Sequence, residues 1–337
     1  MILSAWQAVC KACGNVGGVD VTGGASKARM PEMNAQRLCT DAKPYKHTQT
    51  LALRKNYVIA DIYGLCEWYK DRNDFKGGWN MTQEQMNILV PEKLKEIENK
   101  YDVKVLWAIE SGSRAWGFAS PDSDFDVRFI YKRKPEAYLR LDRCRDVIEL
   151  PVDDTWDVSG WDIDKTIKLL RNTNPTLYEW MNSPIRYIES DFSVRLAPLM
   201  KECFTEDRML YHYSSIAKST VHNHLQKETV KPKKYFYALR SVLACEWIRQ
   251  FHSAPPVPFS ELYETVLPDK LKTTVDSLLE LKRSGPEGLE IPPVKNIDEF
   301  LDEQISDAES YLENIEHGIK ADWNILNEFF VNEINGA

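Results

Sequence analysis

The order of sequence patterns predicts an α+β amino-terminal half joined to an all-helical carboxy-terminal half. Three observations carry this: strand-forming runs gather between residues 103 and 159, apolar spacing turns helical from Asp162, and the remainder reads as helices separated by proline-rich turns. Thr82 can cap a helix running to Lys100, with Met86, Leu89, Leu94 and Ile97 at roughly helical spacing and Pro91 breaking or restarting it. Val103 to Ile109 reads as a buried strand that ends in a tight turn at Ser111, Gly112 and Ser113, followed by a short helix from Arg114 to Phe118. Asp126 to Tyr131 and Thr155 to Ser159 are two further strands, so Asp126 and Asp157 fall on strands. Ile163, Ile167 and Leu170 mark an amphipathic helix that stops before Asn174-Pro175, and another spans Thr176 to Met181. Helical segments are then expected at 199–203, 211–227, 234–251, 271–282 and 298–330, with turns at Pro255-Pro256 and Pro292-Pro293.

The composition suits a globular chain of one large or two ordinary domains: 337 residues, 43% hydrophobic, 28% charged, net charge -8. The expected organisation is a poorly structured extension over 1–80, a catalytic α+β domain over 81–190 and a helical substrate-side domain over 191–337. Gly14 to Gly24 is glycine-rich, and 73–80 is a polar, linker-like stretch. Cys10 and Cys13 have the spacing of half a zinc site, but no second close pair follows and Cys39 and His47 are distant, so free thiols are expected. Seven scattered cysteines argue against a disulfide framework, and no window resembles a membrane span or secretory signal. A cytoplasmic location without membrane association is the expectation; oligomeric state is left open. The acidic total argues against bulk nucleic-acid binding while leaving room for a local basic surface.

Chemistry concentrates between Glu110 and Val127. Gly112 and Ser113 end a strand and open a helix, where unpaired backbone N–H groups suit an anionic phosphate and glycine permits its close approach. Asp124 and Asp126 stand two apart, which on an extended strand points both carboxylates to one face. Two like charges so placed call for a cation, and Mg²⁺ suits hard oxygen ligands completed by substrate phosphates. A calcium loop of the EF-hand kind is excluded, because it needs glycine and glutamate where Val127 and Arg133 stand.

These residues resemble the signature of the polymerase beta type nucleotidyltransferases: Gly-Ser after an apolar strand, about a dozen residues, then Asp-x-Asp among apolar residues. Here Gly112-Ser113 is followed after ten residues by Asp124-Phe125-Asp126. The closer resemblance is to the bacterial and phage group described as predicted nucleotidyltransferase YcgL, or the RNA repair pathway DNA polymerase beta family. It rests on Glu110 to Phe118, Asp124 to Tyr131, Ser159-Gly160-Trp161-Asp162, Asn174-Pro175-Thr176, Glu179-Trp180, Asn182-Ser183-Pro184 and Lys233 to Tyr237. It covers roughly residues 81 to 330, and the first 80 match nothing in it. The resemblance implies a polymerase beta-like domain, a short mixed sheet with helices, followed by the helical domain. It further implies a metal-dependent enzyme that uses Mg²⁺ or Mn²⁺ and an NTP, with Gly112, Ser113 and Arg114 near the phosphates. The family's third metal carboxylate sits on a later strand between apolar residues; Asp157 in Trp156-Asp157-Val158 has that form, whereas Asp162 suits the first turn of the next helix. Asp124, Asp126 and Asp157 are the implied catalytic and metal-binding residues. An RNA end is the leading acceptor, a protein or small-molecule hydroxyl the alternative, and a catalytically idle nucleotide- or partner-binding module the reading from another class.

From Lys218 to Arg240 there are six basic residues and one acidic residue, a local charge of +5. Lys233, Lys234, Tyr237 and Arg240 are therefore candidates for gripping a triphosphate or nucleic-acid end, against the plainer reading of a solvated helix face. His222 and His224 diverge on a helix and make a poor zinc site, and Trp161, Trp180 and Trp247 are expected in the core.

Overall fold

The computed structural model describes residues 82–120, 123–151, 156–284 and 288–336, and Thr82 caps its first helix. Its hydroxyl accepts from the Gln85 amide while the Gln85 side chain accepts from the Thr82 amide, satisfying two N–H groups at the start of helix α1 (Gln83–Tyr101). Pro91 does not break this helix as the sequence suggests. Met86, Val90, Leu94 and Ile97 form one buried stripe along both sides of it, and that packing outweighs the single backbone hydrogen bond a proline removes.

Five strands follow: β1 (Val103–Glu110), β2 (Phe125–Arg133), β3 (Val147–Glu149), β4 (Trp156–Asp162) and β5 (Arg186–Ile188). They form a mixed sheet in the order β3-β4-β2-β1-β5, in which β2 and β4 are parallel and the other neighbours antiparallel. Period-two alternation divides β2 between two cores. Phe125, Val127, Phe129 and Tyr131 pack with Val158 beneath α1. Ile130 joins Trp107 and Ile109 against α4 (Ile163–Arg171), α5 (Pro175–Met181) and α6 (Phe192–Cys203) on the other face. Gly160 of β4 has no room for a side chain, because a Cβ there would lie 2.2 Å from the Phe129 ring. Between β1 and β2 comes the one-turn helix α2 (Gly112–Ala115), earlier and shorter than the expected 114–118; α3 (Pro135–Tyr138) precedes β3.

The helical portion comprises α7 (Glu206–Thr220) ending in a π-helical turn Val221–Leu225, α8 (Pro232–Phe251), α9 (Phe259–Val266), α10 (Asp269–Ser284), α11 (Lys295–Asn314) and α12 (Trp323–Asn335). Helix α8 is its axis: Phe236, Leu239 and Leu243 belong to one hydrophobic cluster and Ala244, Cys245 and Ile248 to the cluster on the sheet. Two expectations are corrected. The helix expected at 199–203 starts at Phe192 and passes through Pro198, and the single helix expected over 298–330 is two. Residue Ile315 turns to extended backbone before the polar stretch around Gly318, and Asp322 caps a fresh start by accepting from the Asn324 amide. Helix α12 returns to the sheet side, where Glu333 pairs with Arg195 and its carbonyl accepts from Lys132 Nζ at 2.6 Å. Among the described residues no helix is long and apolar enough to cross a membrane. The cysteine pair at 10 and 13 lies outside the described residues.

Candidate active site

Ser111, Gly112, Asp126, Arg128 and Asp157 line one end of a cleft of about 670 Å³. The amino-terminal ends of β2 and β4 build that end: parallel pairing sets Asp126 directly beside Asp157, on the sheet face that also carries Arg128 and Ser159. Asp124 immediately precedes β2 and is exposed. The Ser111 amide bonds to the Asp126 carbonyl at 2.8 Å, fastening the turn between β1 and α2 to the carboxylate strand. Gly112 is required twice. Its φ of +59° is left-handed, and a Cβ would sit 2.0 Å from Asp126 Oδ2, so only glycine lets this carboxylate lie against the turn. The amides that begin the turn have no preceding helical turn to bond to and border the cleft beside Asp126.

Burial, joined by the negative charges of Asp124 and Asp157, raises the Asp126 carboxyl above the usual carboxylate range, with Arg128 opposing. Arg128 Nη2 donates to Asp126 Oδ1 at 2.9 Å and to Asp157 Oδ2 at 2.7 Å, bridging the two. Behind them Glu110 is fully buried at the end of β1. Its Oε1 accepts from the Asp126 amide at 2.9 Å and its Oε2 from the Tyr187 hydroxyl at 2.6 Å, while burial pushes its carboxyl up to about 7. Sequence reading assigned no role to Glu110 or Arg128. An acid closing an otherwise apolar strand was the signal for the first, and an arginine two residues after Asp126 on the same strand face the signal for the second. Arg114, expected near phosphates, is instead turned onto the loop before β2. It donates to the carbonyls of Ser123 at 2.6 Å and Asp124 at 3.1 Å and lies 3.6 Å over the Phe125 ring, which positions Asp124.

The opposite end of the cleft is helical and aromatic. Glu179 Oε1 accepts from Arg240 Nη1 and from the Tyr213 hydroxyl, each at 2.8 Å, and the Arg240 guanidinium lies 4.7 Å from the Trp116 ring. Trp161 and Trp180 stack with centroids 3.8 Å apart, the first half-buried in the cleft wall and the second buried. The four candidates on α8 thus separate. Tyr237 and Arg240 line the cleft; Lys233 and Lys234 lie outside its lining. Arg240 is 3% exposed and committed to Glu179, which corrects its expected place on an open basic face. Lys234 stands 5.3 Å from the Tyr237 ring centroid, and partial burial with the charges of Lys233, Lys231 and Lys227 lowers its ammonium below the ordinary lysine value.

The donor set tests well for a hard divalent cation, Mg²⁺ or Mn²⁺. Asp126 and Asp157 share one rim with Asp124 just ahead of it, burial together with their charges raises Asp126, and the turn leaves no side chain over its Oδ2. Among the described residues no three metal-ligating side chains converge as they stand, and Arg128 bridges Asp126 and Asp157. Asp162 lies at the far end of β4, opposite Tyr131, where it caps α4 and accepts from Tyr138.

A mixed five-stranded sheet with this helical companion is of the polymerase beta nucleotidyltransferase class. More narrowly, the model of the RNA repair pathway DNA polymerase beta family (RlaP) matches residues 86–332, and the chain belongs to that family. An uncharacterized protein, YcgL of Bacillus subtilis (strain 168), is 46% identical over 204 residues, 60% of this chain and 78% of that protein. A crystal structure of a nucleotidyltransferase-like protein from Exiguobacterium sibiricum aligns with a TM-score of 0.28 at 11% identity, over 66% of this chain and 74% of that one.

Proposed function

We propose that this chain is a metal-dependent nucleotidyltransferase that moves a nucleoside monophosphate from an NTP to an acceptor hydroxyl, with an RNA end as the acceptor. One observation carries the reading: Asp126 stands in register with Asp157 across a parallel strand pair, against a turn where only Gly112 fits. The amides of Gly112 and Ser113 would receive the β and γ phosphates, and Asp124, Asp126 and Asp157 would hold the divalent cations. A cation so held supplies Lewis-acid stabilisation of charge on the α-phosphate and lowers the acceptor hydroxyl's pKa. Asp157 takes the hydroxyl proton. The acceptor oxygen bonds to the α-phosphorus, the bond to the β-phosphate oxygen breaks, and pyrophosphate leaves with the electron pair. Glu110 and Arg114 position this rim, one through the Asp126 amide and the other through the carbonyls of Ser123 and Asp124.

The RNA reading draws on the family and on the lysines at 227, 231, 233 and 234, whose mutual repulsion at Lys234 suits a polyanion. Incubation with each α-labelled NTP, Mg²⁺ and a panel of RNA, protein and small-molecule acceptors tests it. Label on RNA ends, lost in Asp126→Asn, is the expected result. Label on protein or a small molecule keeps the chemistry and replaces the acceptor, and no transfer to anything leaves the idle nucleotide-binding module.

A further inference from the structure

Arg128 makes four hydrogen bonds in the cleft wall. Nη1 donates to the carbonyls of Val127 at 3.2 Å and Asp157 at 2.7 Å, and Nη2 to one carboxylate oxygen each of Asp126 and Asp157. A single nitrogen thus lies within 2.9 Å and 2.7 Å of two oxygens on neighbouring strands. A divalent cation shared by the same two carboxylates would stand about 2.1 Å from each oxygen, in the gap that this N–H group fills. Guanidinium and metal therefore exclude one another there. Deprotonation offers no way out, since a guanidinium keeps its charge at any working pH, so a cation shared through these two oxygens requires the group to move.

We propose that Arg128 is a resident counter-cation of the carboxylate rim, which the incoming divalent ion displaces and which the triphosphate then receives. This inference rests on the metal-dependent reading above and adds an order of events to it. The displaced side chain lies in the cleft lining, 17% exposed, beside the turn of Ser111 and Gly112 where the phosphates are proposed to sit. The rim thus has a positive partner both before and after binding. Free metal binds weakly, because it has to evict a charge held by four hydrogen bonds. Metal arriving with a nucleotide binds tightly, because the phosphates supply the guanidinium's next partner.

The test is Mn²⁺ binding to the full-length chain, followed by electron paramagnetic resonance without any acceptor, in wild type and Arg128→Gln. Without nucleotide, Arg128→Gln binds Mn²⁺ at least about tenfold more tightly than wild type, as expected when one unit charge leaves a partly desolvated site. A non-hydrolysable NTP analogue tightens Mn²⁺ binding in wild type and does so far less in the variant. Equal or weaker Mn²⁺ binding by Arg128→Gln, with wild type still binding Mn²⁺ in the presence of the analogue, overturns the inference and leaves the metal-dependent reading standing. Absence of Mn²⁺ binding in both proteins under every condition removes that reading and this inference with it. Should Arg128→Gln fail to fold, arginine ¹⁵N spectra of the wild-type chain decide. The Arg128 signal, assigned by its loss in Arg128→Lys, shifts on addition of Mg²⁺ with analogue; an unmoved signal overturns the proposal.

Discussion

The two ends of the cleft hold charge differently. At the helical end one half-buried carboxylate, Glu179, meets one buried guanidinium, Arg240, and one buried hydroxyl, Tyr213, in a charge-balanced set. At the sheet end Asp124, Asp126 and Asp157 crowd a rim that has Arg128 as its bridging cation and the buried Glu110 behind it. A set whose charges are matched within the protein acts on stability. A rim with surplus negative charge suits a bound cation and, under the proposed reading, acts on function.

Substitutions at the two ends break that contrast in opposite ways. Asp126→Asn is expected to lower kcat about a thousandfold or more while the metal-free protein keeps its melting temperature, because it removes a ligand and relieves repulsion at once. Steady-state rates beside thermal melts check this; a collapsed fold with proportionate loss of activity would make the sheet end structural too. Arg240→Met leaves Glu179 without its cation and is expected to cost about 3 kcal/mol in urea unfolding. Unchanged stability with a large rise in KM would instead make Arg240 a substrate ligand.

Glu110 sharpens the comparison because it belongs to the sheet end yet is buried like the helical set. Its folded carboxyl titrates near 7, above the ordinary 4.5, because burial disfavours the charged form. The folded chain therefore binds this proton more tightly than the unfolded chain. The associated stability is complete below pH 4.5 and is lost as pH rises through about 7. Urea midpoints of Glu110→Gln should gain on wild type across that window, and parallel curves would refute the assignment. The smallest effect belongs to Lys233→Ala with Lys234→Ala, which lie outside the cleft lining. KM for the RNA acceptor should rise several-fold and its salt dependence flatten, with little change in kcat. An unmoved salt slope would make these lysines a solvated face.

What could be read from the chain beforehand was what is local in it. Gly112-Ser113 after an apolar run, the spacing to Asp124 and Asp126, and the flanks of Asp157 each lie within a few residues of one another. Arg128 carried no such signal, since its bridging position exists only once β2 and β4 pair in parallel. Strands β3 and β5, three residues each, are too short to show a period. Arg240 misled for a related reason. Its spacing from Lys233 and Tyr237 suggested one open face, but the apolar residues filling α8 on nearly every side bury that helix and carry Arg240 inward to Glu179, 61 residues away in sequence. Pro91 misled in the other direction, because a buried stripe can hold a helix through a proline, as α6 also does at Pro198.

The fit of Phe129 over Gly160 works as a key in a notch cut on the reverse side of the cleft wall. A sheet can slide by a residue when its side chains are interchangeable, and such a slip would move Asp157 from beside Asp126 and turn it toward α1. The ring fits only where the notch is. The alignment of two charged groups is thereby fixed by a wholly apolar contact three residues along each strand, on the face turned toward α1. A larger residue at 160 would put the chemistry out of alignment from behind without touching any group that performs it.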